Sequence, residues 1–265
     1  PEPFQIMEQI IKSALRGTAA PSMYKVITDT TILSTDSAEG NVLSAGYKHV
    51  NDLVVIKINK LPAGTANQYH EFVVGLILNT IRPLIPNIVY TYGHIYCDSN
   101  PVPVVSEKIC HGTTPAVHIL IQNLKGQKTL EDFLQTDISD RDLGKLYLSI
   151  FCAHCIANEK LKFVHGDFHA GNIMIKTLKR PVTVKYRVMG RDIIINTKYI
   201  PTIIDFGFSY IEYEGKSYSR IDGDVIIMRF HPDALYGNHP GIDIYKLITH
   251  SMGSLIITNK MSQDK

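Results

Sequence analysis

Val164-His165-Gly166-Asp167-Phe168-His169-Ala170-Gly171-Asn172-Ile173-Met174-Ile175 runs from an apolar residue into a polar loop and out into an apolar strand. The loop carries Asp167 and, five residues on, Asn172. A carboxylate there can accept or orient a hydroxyl proton. An amide oxygen five residues later can reach back to a metal bound at phosphates. Working outward, Thr202-Ile203-Ile204-Asp205-Phe206-Gly207 is a second apolar strand that delivers one carboxylate to a turn marked by Gly. Mg²⁺ takes hard oxygen ligands, commonly one or two carboxylates with phosphate oxygens. Asp205 with Asn172 is a donor set of that kind.

Between the two blocks, Thr183 to Val188 and Ile193 to Thr197 alternate like the arms of a β-hairpin around Met189-Gly190-Arg191-Asp192. Upstream, residues 140 to 160 read as a long helix, and Thr129-Leu130-Glu131-Asp132 opens a short one with an N-cap signature. Strand-like runs fill the earlier part: Tyr24 to Ile27, Thr30 to Ser34, Asn41 to Tyr47, Leu53 to Ile58, Val89 to Ile95 and Val117 to Gln122. Helices are expected over residues 4 to 16 and from about Thr65 to Ile81, the latter ended by Pro83 and Pro86. The stretch with Pro101, Pro103 and Gly112 reads as a variable excursion. The outcome is an α+β chain whose strand-rich first part passes into a helix-rich second part.

Composition limits the choices. The chain has 265 residues, 45% of them hydrophobic, enough for a packed core. A net charge of +2 gives no general pull toward nucleic acid or an acidic membrane surface. The apolar stretches are too short to span a bilayer, and the first residues do not read as a signal peptide. The first residue is Pro1 rather than Met, so the chain is read as a fragment or a processed product. Four cysteines are ordinary usage and point to an intracellular, reducing compartment. Cys152-Ala-His-Cys155 has metal-like spacing, but it lies inside an apolar helical pattern and reads as helix packing.

The two blocks together resemble the catalytic loop and the Asp-Phe-Gly metal turn of the protein-kinase-like superfamily. The resemblance implies a bilobal fold with a small β-rich N-lobe over residues 1–122, a hinge at 123–126, and a C-lobe over 127–265. That C-lobe would be truncated and helical, with an inserted β-hairpin before the Asp-Phe-Gly turn. It also implies residues upstream. Lys57, ending Val54-Val55-Ile56-Lys57, would contact the α- and β-phosphates of ATP. Glu71, on the following helix, would hold that lysine in place. The frame Thr35-Asp36-Ser37-Ala38-Glu39-Gly40-Asn41-Val42 would cover the phosphates, with Thr35 and Ser37 where the family has its first two glycines. Gly40, Val42 and Val55 would line the nucleotide, and Asn123 and Leu124 would meet its adenine. Asp167 would position the acceptor hydroxyl, Asn172 and Asp205 would hold Mg²⁺, and Asp243 would brace the catalytic loop.

The match departs from the family at named positions. Gly166 stands where many protein kinases have Arg, which implies activity that does not wait on activation-loop phosphorylation. His169 stands where many Ser/Thr kinases have Lys; it would touch the transferred phosphate or pack. His165 reads as a buried residue beneath the loop. His-Gly-Asp-x-His-x-x-Asn is more like the aminoglycoside- and fructosamine-type small-molecule kinases, whereas Asp-Phe-Gly is more like protein kinases. A divergent kinase of the kind large DNA viruses carry would have this outline, and so would a truncated fragment. If the chain is viral, the resemblance places it in the host cytoplasm or the virion. The implied activity is ATP- and Mg²⁺-dependent transfer to a protein Ser/Thr hydroxyl. A small-molecule acceptor and a nucleotide-binding pseudokinase scaffold stay open beside it.

Overall fold

β-Branched and apolar runs broken by Asp, Asn and Gly form antiparallel strands here, as their side-chain preferences favour. The computed structural model describes residues 27–34, 40–47, 50–59, 65–97, 116–219 and 240–257. The helix expected over residues 4–16, the strand start at Tyr24, Thr35 and Ser37, and the excursion around Pro101 to Gly112 lie outside the described residues. The described part is mixed α and β, with antiparallel sheets, and it clusters into two compact units.

The first unit takes in residues up to Leu76 and Tyr90–Lys125. Its sheet contains β1 (Ile27–Ser34), β2 (Gly40–Tyr47), β3 (Val50–Asn59), β4 (Thr91–Cys97) and β5 (Ala116–Gln122), in the order β1-β2-β3-β5-β4. Every neighbouring pair is antiparallel. β1 is one continuous strand from Ile27, where the sequence suggests two short ones. Leu43, Ala45, Val54, Val55, Ile56, Val117, Ile119 and Leu120 are all buried, so the middle of the sheet is covered on both faces. Helix α1 (Thr65–Asn79) stops two residues before the expected Ile81. Its Phe72 ring lies 4.4 Å from that of His94 on β4.

The second unit takes in Ile77–Val89 and the chain from Gly126. β6 (Lys128–Thr129), β7 (Ile173–Val188) and β8 (Arg191–Ile203) form a three-stranded sheet, and β9 (Ile211–Tyr213) pairs with β10 (Lys216–Tyr218). Its helices are α2 (Leu130–Leu134), α3 (Asp140–Leu161) and α4 (Pro240–Ile257). Thr129 caps α2 by accepting from the Asp132 amide, and Ser139 caps α3 by accepting from the Asp142 amide. α3 packs against β7 and β8.

The hairpin β7–β8 is longer than its alternating tips suggest. Met189 and Gly190 turn it with φ of 47° and 77°, the two positive values that a type I′ turn requires. Pairing continues down to Ile173↔Ile203, interrupted by a register shift between Thr177 and Val182 that takes in Pro181. A bulge is where a strand tolerates a residue without an amide proton. On its other side the base of β8 is clamped by residues 87–89. Ile203 donates to the Asn87 carbonyl at 2.7 Å, and Val89 donates to the Ile203 carbonyl at 3.0 Å. Asn87 also donates to the Pro201 carbonyl and accepts from the buried Tyr186 hydroxyl.

Candidate functional site

The base of the hairpin sets the geometry of the loop. Because Ile173 pairs with Ile203, Asn172 precedes one end of the pair and Asp205 follows the other. The Ile204 amide donates to the Asn172 carbonyl at 3.0 Å, which closes the two segments side by side. Asn172 directs its amide nitrogen at Asp167, donating to the main-chain oxygen at 2.9 Å and to Oδ2 at 3.4 Å. Its Oδ1 is then the atom left for a metal. With the Asp205 carboxylate it offers hard oxygen donors, which fit Mg²⁺ and would suit neither a soft metal nor a zinc site. Asp205 sits at φ 66°, a conformation uncommon outside Gly that Asp adopts more readily than most residues.

Beneath the loop lies an aromatic cluster of Phe163, Phe168 and Phe206, each at most 2% exposed, with His154 and His165 among them. Burying each Phe ring is worth about 1.5–3 kcal/mol. His165 is fully buried, and its hydrogen bonds fix its tautomer. Nε2 lies 2.9 Å from the Ile204 carbonyl, which can only accept; Nδ1 lies 3.3 Å from the Asp167 amide, which can only donate. The ring therefore carries its proton on Nε2. Burial pushes its pKa down, against smaller opposing effects of the Asp243 charge, the Ile204 hydrogen bond and the Asp205 and Asp167 charges.

Asp243 enters from α4 and is 1% exposed. It accepts from the His165 amide at 2.6 Å and the Gly166 amide at 3.0 Å, which is the loop brace expected of it. Its third contact, His154 Nε2 at 2.7 Å, is absent from the sequence reading, in which this histidine appears only as part of Cys152-Ala-His-Cys155. The two cysteines are free. Burial, with a smaller contribution from Cys155, pushes the Cys152 thiol up to about 11, so it stays protonated and packs as a small apolar residue.

Gly166 has a physical reason to be glycine. Its φ is 77°, and a Cβ there would come 2.2 Å from the Phe208 carbonyl oxygen. A side chain at that position, the arginine of many protein kinases included, would collide with the Phe208 backbone.

The Asp167 carboxylate has three contacts besides the loop backbone. Oδ2 takes the long bond from Asn172 and lies 3.4 Å from His169 Nε2. Oδ1 accepts from Lys246 on α4. Burial would raise this carboxyl, but the hydrogen bonds of His169 and Lys246, together with their charges, outweigh it and hold Asp167 well below the usual carboxylate range. His169 Nδ1 accepts from the Gly171 amide at 3.0 Å, leaving Nε2 to face Asp167.

The remaining candidates belong to the first unit. Lys57 Nζ donates to both oxygens of Glu71, at 2.7 and 2.9 Å, joining β3 to α1. Val42 on β2 pairs with Lys57, Gly40 begins β2, and Val55 is buried on β3. Asn123 and Leu124 follow β5, and Asn123 donates to the Ser44 hydroxyl at 3.2 Å.

The chain is similar to a protein named a probable kinase. It is 26% identical, over 78% of its length, to the probable kinase 098L of Invertebrate iridescent virus 3. It is 24% identical over 89% of its length to the uncharacterized protein 098R of Invertebrate iridescent virus 6. With the uncharacterized protein ZK177.2 of Caenorhabditis elegans it shares 28% identity over 59% of its length. These matches take in 35%, 45% and 51% of the three relatives, so the chain spans about half of their length or less. No family model matches it. Among the described residues, no helix is long and apolar enough to cross a membrane.

Proposed function

We propose that the chain is a kinase-like phosphotransferase that moves the γ-phosphate of ATP to a Ser or Thr hydroxyl of a protein, with Mg²⁺. The observation that carries this reading is the closure of Asn172 against the strand leading to Asp205, with Asn172 also bonded to Asp167. It joins an acceptor-orienting carboxylate to a hard-oxygen metal site in one short loop. The similarity to a probable kinase agrees with it.

Each residue has a role under this reading. Lys57, held by Glu71, binds the α- and β-phosphates, and Val42, Val55, Asn123 and Leu124 line the nucleotide. Thr35, Ser37 and Gly40 belong to the loop that covers the phosphates. Asn172 and Asp205 hold Mg²⁺, which when bound neutralises charge on the phosphates. Asp167 accepts the hydrogen bond of the acceptor hydroxyl and aims its oxygen at phosphorus. Its contribution is orientation: as the new P–O bond forms and the bond to ADP breaks, the acceptor proton passes to the Asp167 carboxylate or to an oxygen of the transferred phosphate. Preorganised charge and positioning supply the rate.

His169 favours a second reading. It closes the His-Gly-Asp-x-His block that resembles small-molecule kinases, and its Nε2 lies 3.4 Å from Asp167 Oδ2. The two are separated by transfer from labelled ATP with Mg²⁺ to a panel holding the chain itself, a basic protein, and small alcohols and aminoglycosides. Transfer to protein that disappears in Asp167→Ala and Asp205→Ala supports the first reading. Transfer only to a small molecule supports the second. Binding of ATP without transfer supports a nucleotide-binding scaffold, and absence of ATP binding rejects all three.

A further inference from the structure

Helix α4 places Asp243, Lys246 and His250 at spacings of three and four residues, along one stripe of its surface. All three meet the polar loop. Asp243 accepts from its backbone at His165 and Gly166. Lys246 donates to Oδ1 of Asp167. The His250 ring lies 5.1 Å from that of His169, tilted by 38°. The helix is fixed in this orientation by its buried Leu247 and Ser251, while Tyr245 and Met252 are exposed. Nothing in the loop's own sequence anticipates a lysine here, since Lys246 is 79 residues from Asp167.

We propose that Lys246 is a positioning residue of the phosphotransfer centre, the cation that holds the Asp167 carboxylate in the orientation that receives the acceptor hydroxyl. This inference rests on the phosphotransferase reading above. The contacts of Asp167 support it. Among the described residues, Oδ2 has two partners, Asn172 and His169, each at 3.4 Å, the long limit of a hydrogen bond. Lys246 brings a permanent ammonium to Oδ1, and charge-assisted hydrogen bonds are about twice as strong as neutral ones. Without the ammonium, the contacts left to the carboxylate among the described residues are the two long ones on Oδ2, which constrain χ2 less. The helix that braces the backbone of the loop thus also aims its side chain. The side chains of Lys246 and Asp167 are 30% and 31% exposed, so the pair is reachable from solvent, as a pair beside a reacting hydroxyl must be.

The test is a kinetic double-mutant cycle on the chain: wild type, Lys246→Met, Lys246→Arg, Asp167→Asn and the double variant Lys246→Met/Asp167→Asn. Each is assayed for kcat and for KM of ATP with the acceptor found in the panel above. Lys246→Met is expected to lower kcat about 10- to 100-fold, the usual cost of losing a partner that orients a reacting group, with the KM of ATP within about twofold. Lys246→Arg is expected to recover most of that loss, because a cation still reaches Oδ1. In the Asp167→Asn background, Lys246→Met is expected to cost nothing further, since its effect passes through the carboxylate. A merely structural lysine would give independent losses, no rescue by arginine, or a change in KM alone, and any of these overturns the proposal. Wild-type kcat in Lys246→Met beside an inactive Asp167→Asn overturns the proposal and leaves the phosphotransferase reading intact. Full activity in Asp167→Asn, or no transfer by wild type, overturns both.

Discussion

Two lysine–carboxylate pairs carry the chemistry proposed here, one in each unit, and they differ in burial and in how they are built. Lys57 and Glu71 join a strand to the next helix, with side chains 17% and 7% exposed. Lys246 and Asp167 join a late helix to a loop, with side chains 30% and 31% exposed. The first is a largely desolvated pair in which both oxygens of the carboxylate are used. The second leaves a carboxylate oxygen only weakly engaged beside solvent. A buried pair contributes to stability chiefly when one partner is removed and a charge is stranded, whereas an exposed pair contributes little either way. The first pair should therefore matter for folding and for nucleotide binding, and the second for rate alone.

The largest effect that would sharpen this contrast is on transfer. Lys57→Met is expected to lower kcat/KM for ATP about 10²- to 10³-fold, the usual cost of losing a preorganised charge at a phosphate. Steady-state assay with labelled ATP reads it, and a loss smaller than that of Lys246→Met would reverse the assignment. Next come the stabilities. Glu71→Ala removes a largely buried carboxylate that accepts two hydrogen bonds from Lys57 and is expected to cost about 3 kcal/mol in chemical denaturation. Lys246→Met should cost no more than about 1 kcal/mol, as removal of an exposed pair does. Equal costs would break the comparison.

Two smaller effects test the loop that holds Asp167. Gly166→Ala forces a side chain onto a left-handed backbone and against the Phe208 carbonyl, and is expected to cost about 1–3 kcal/mol. A neutral result would show that the loop relaxes around the new methyl. His165 predicts a pH dependence. Its pKa is lowered in the folded chain, so below the ordinary histidine value of about 6.5 the unfolded chain binds a proton that the folded chain refuses. Stability then falls as pH falls below that value, by at most about 1.4 kcal/mol per pH unit for this one group. Denaturation midpoints between neutral and mildly acidic pH should show the slope, and His165→Gln should flatten it.

The sequence made the two loops, the hairpin tip and the cap at Thr129 readable, because each is written in adjacent residues; the Ser139 cap of α3 came from the structure. Lys57 and Glu71 were readable through the family resemblance, which expects a lysine ending this strand and a glutamate on the helix that follows it. Contacts between distant segments left no such trace. Lys246 with Asp167, His154 with Asp243 and Tyr186 with Asn87 are 79, 89 and 99 residues apart, and no periodicity marks either partner. His154 sat in a buried helix and looked like packing. Gly166 looked like a lost arginine until its backbone angle and the nearby Phe208 carbonyl gave it a steric reason. The hairpin was read from its alternating tips; its base, which sets Asn172 beside the strand to Asp205, lies in near-continuous apolar runs that alternation does not detect.

The most direct test of the central claim compares wild type with Asp167→Asn in transfer from labelled ATP with Mg²⁺, measuring nucleotide binding on the same samples. The phosphotransferase centre described above predicts ATP affinity within about twofold and a rate at least about 10²-fold lower, the size expected when a positioned carboxylate is removed. Transfer by Asp167→Asn at the wild-type rate, or no ATP binding by wild type, would contradict it.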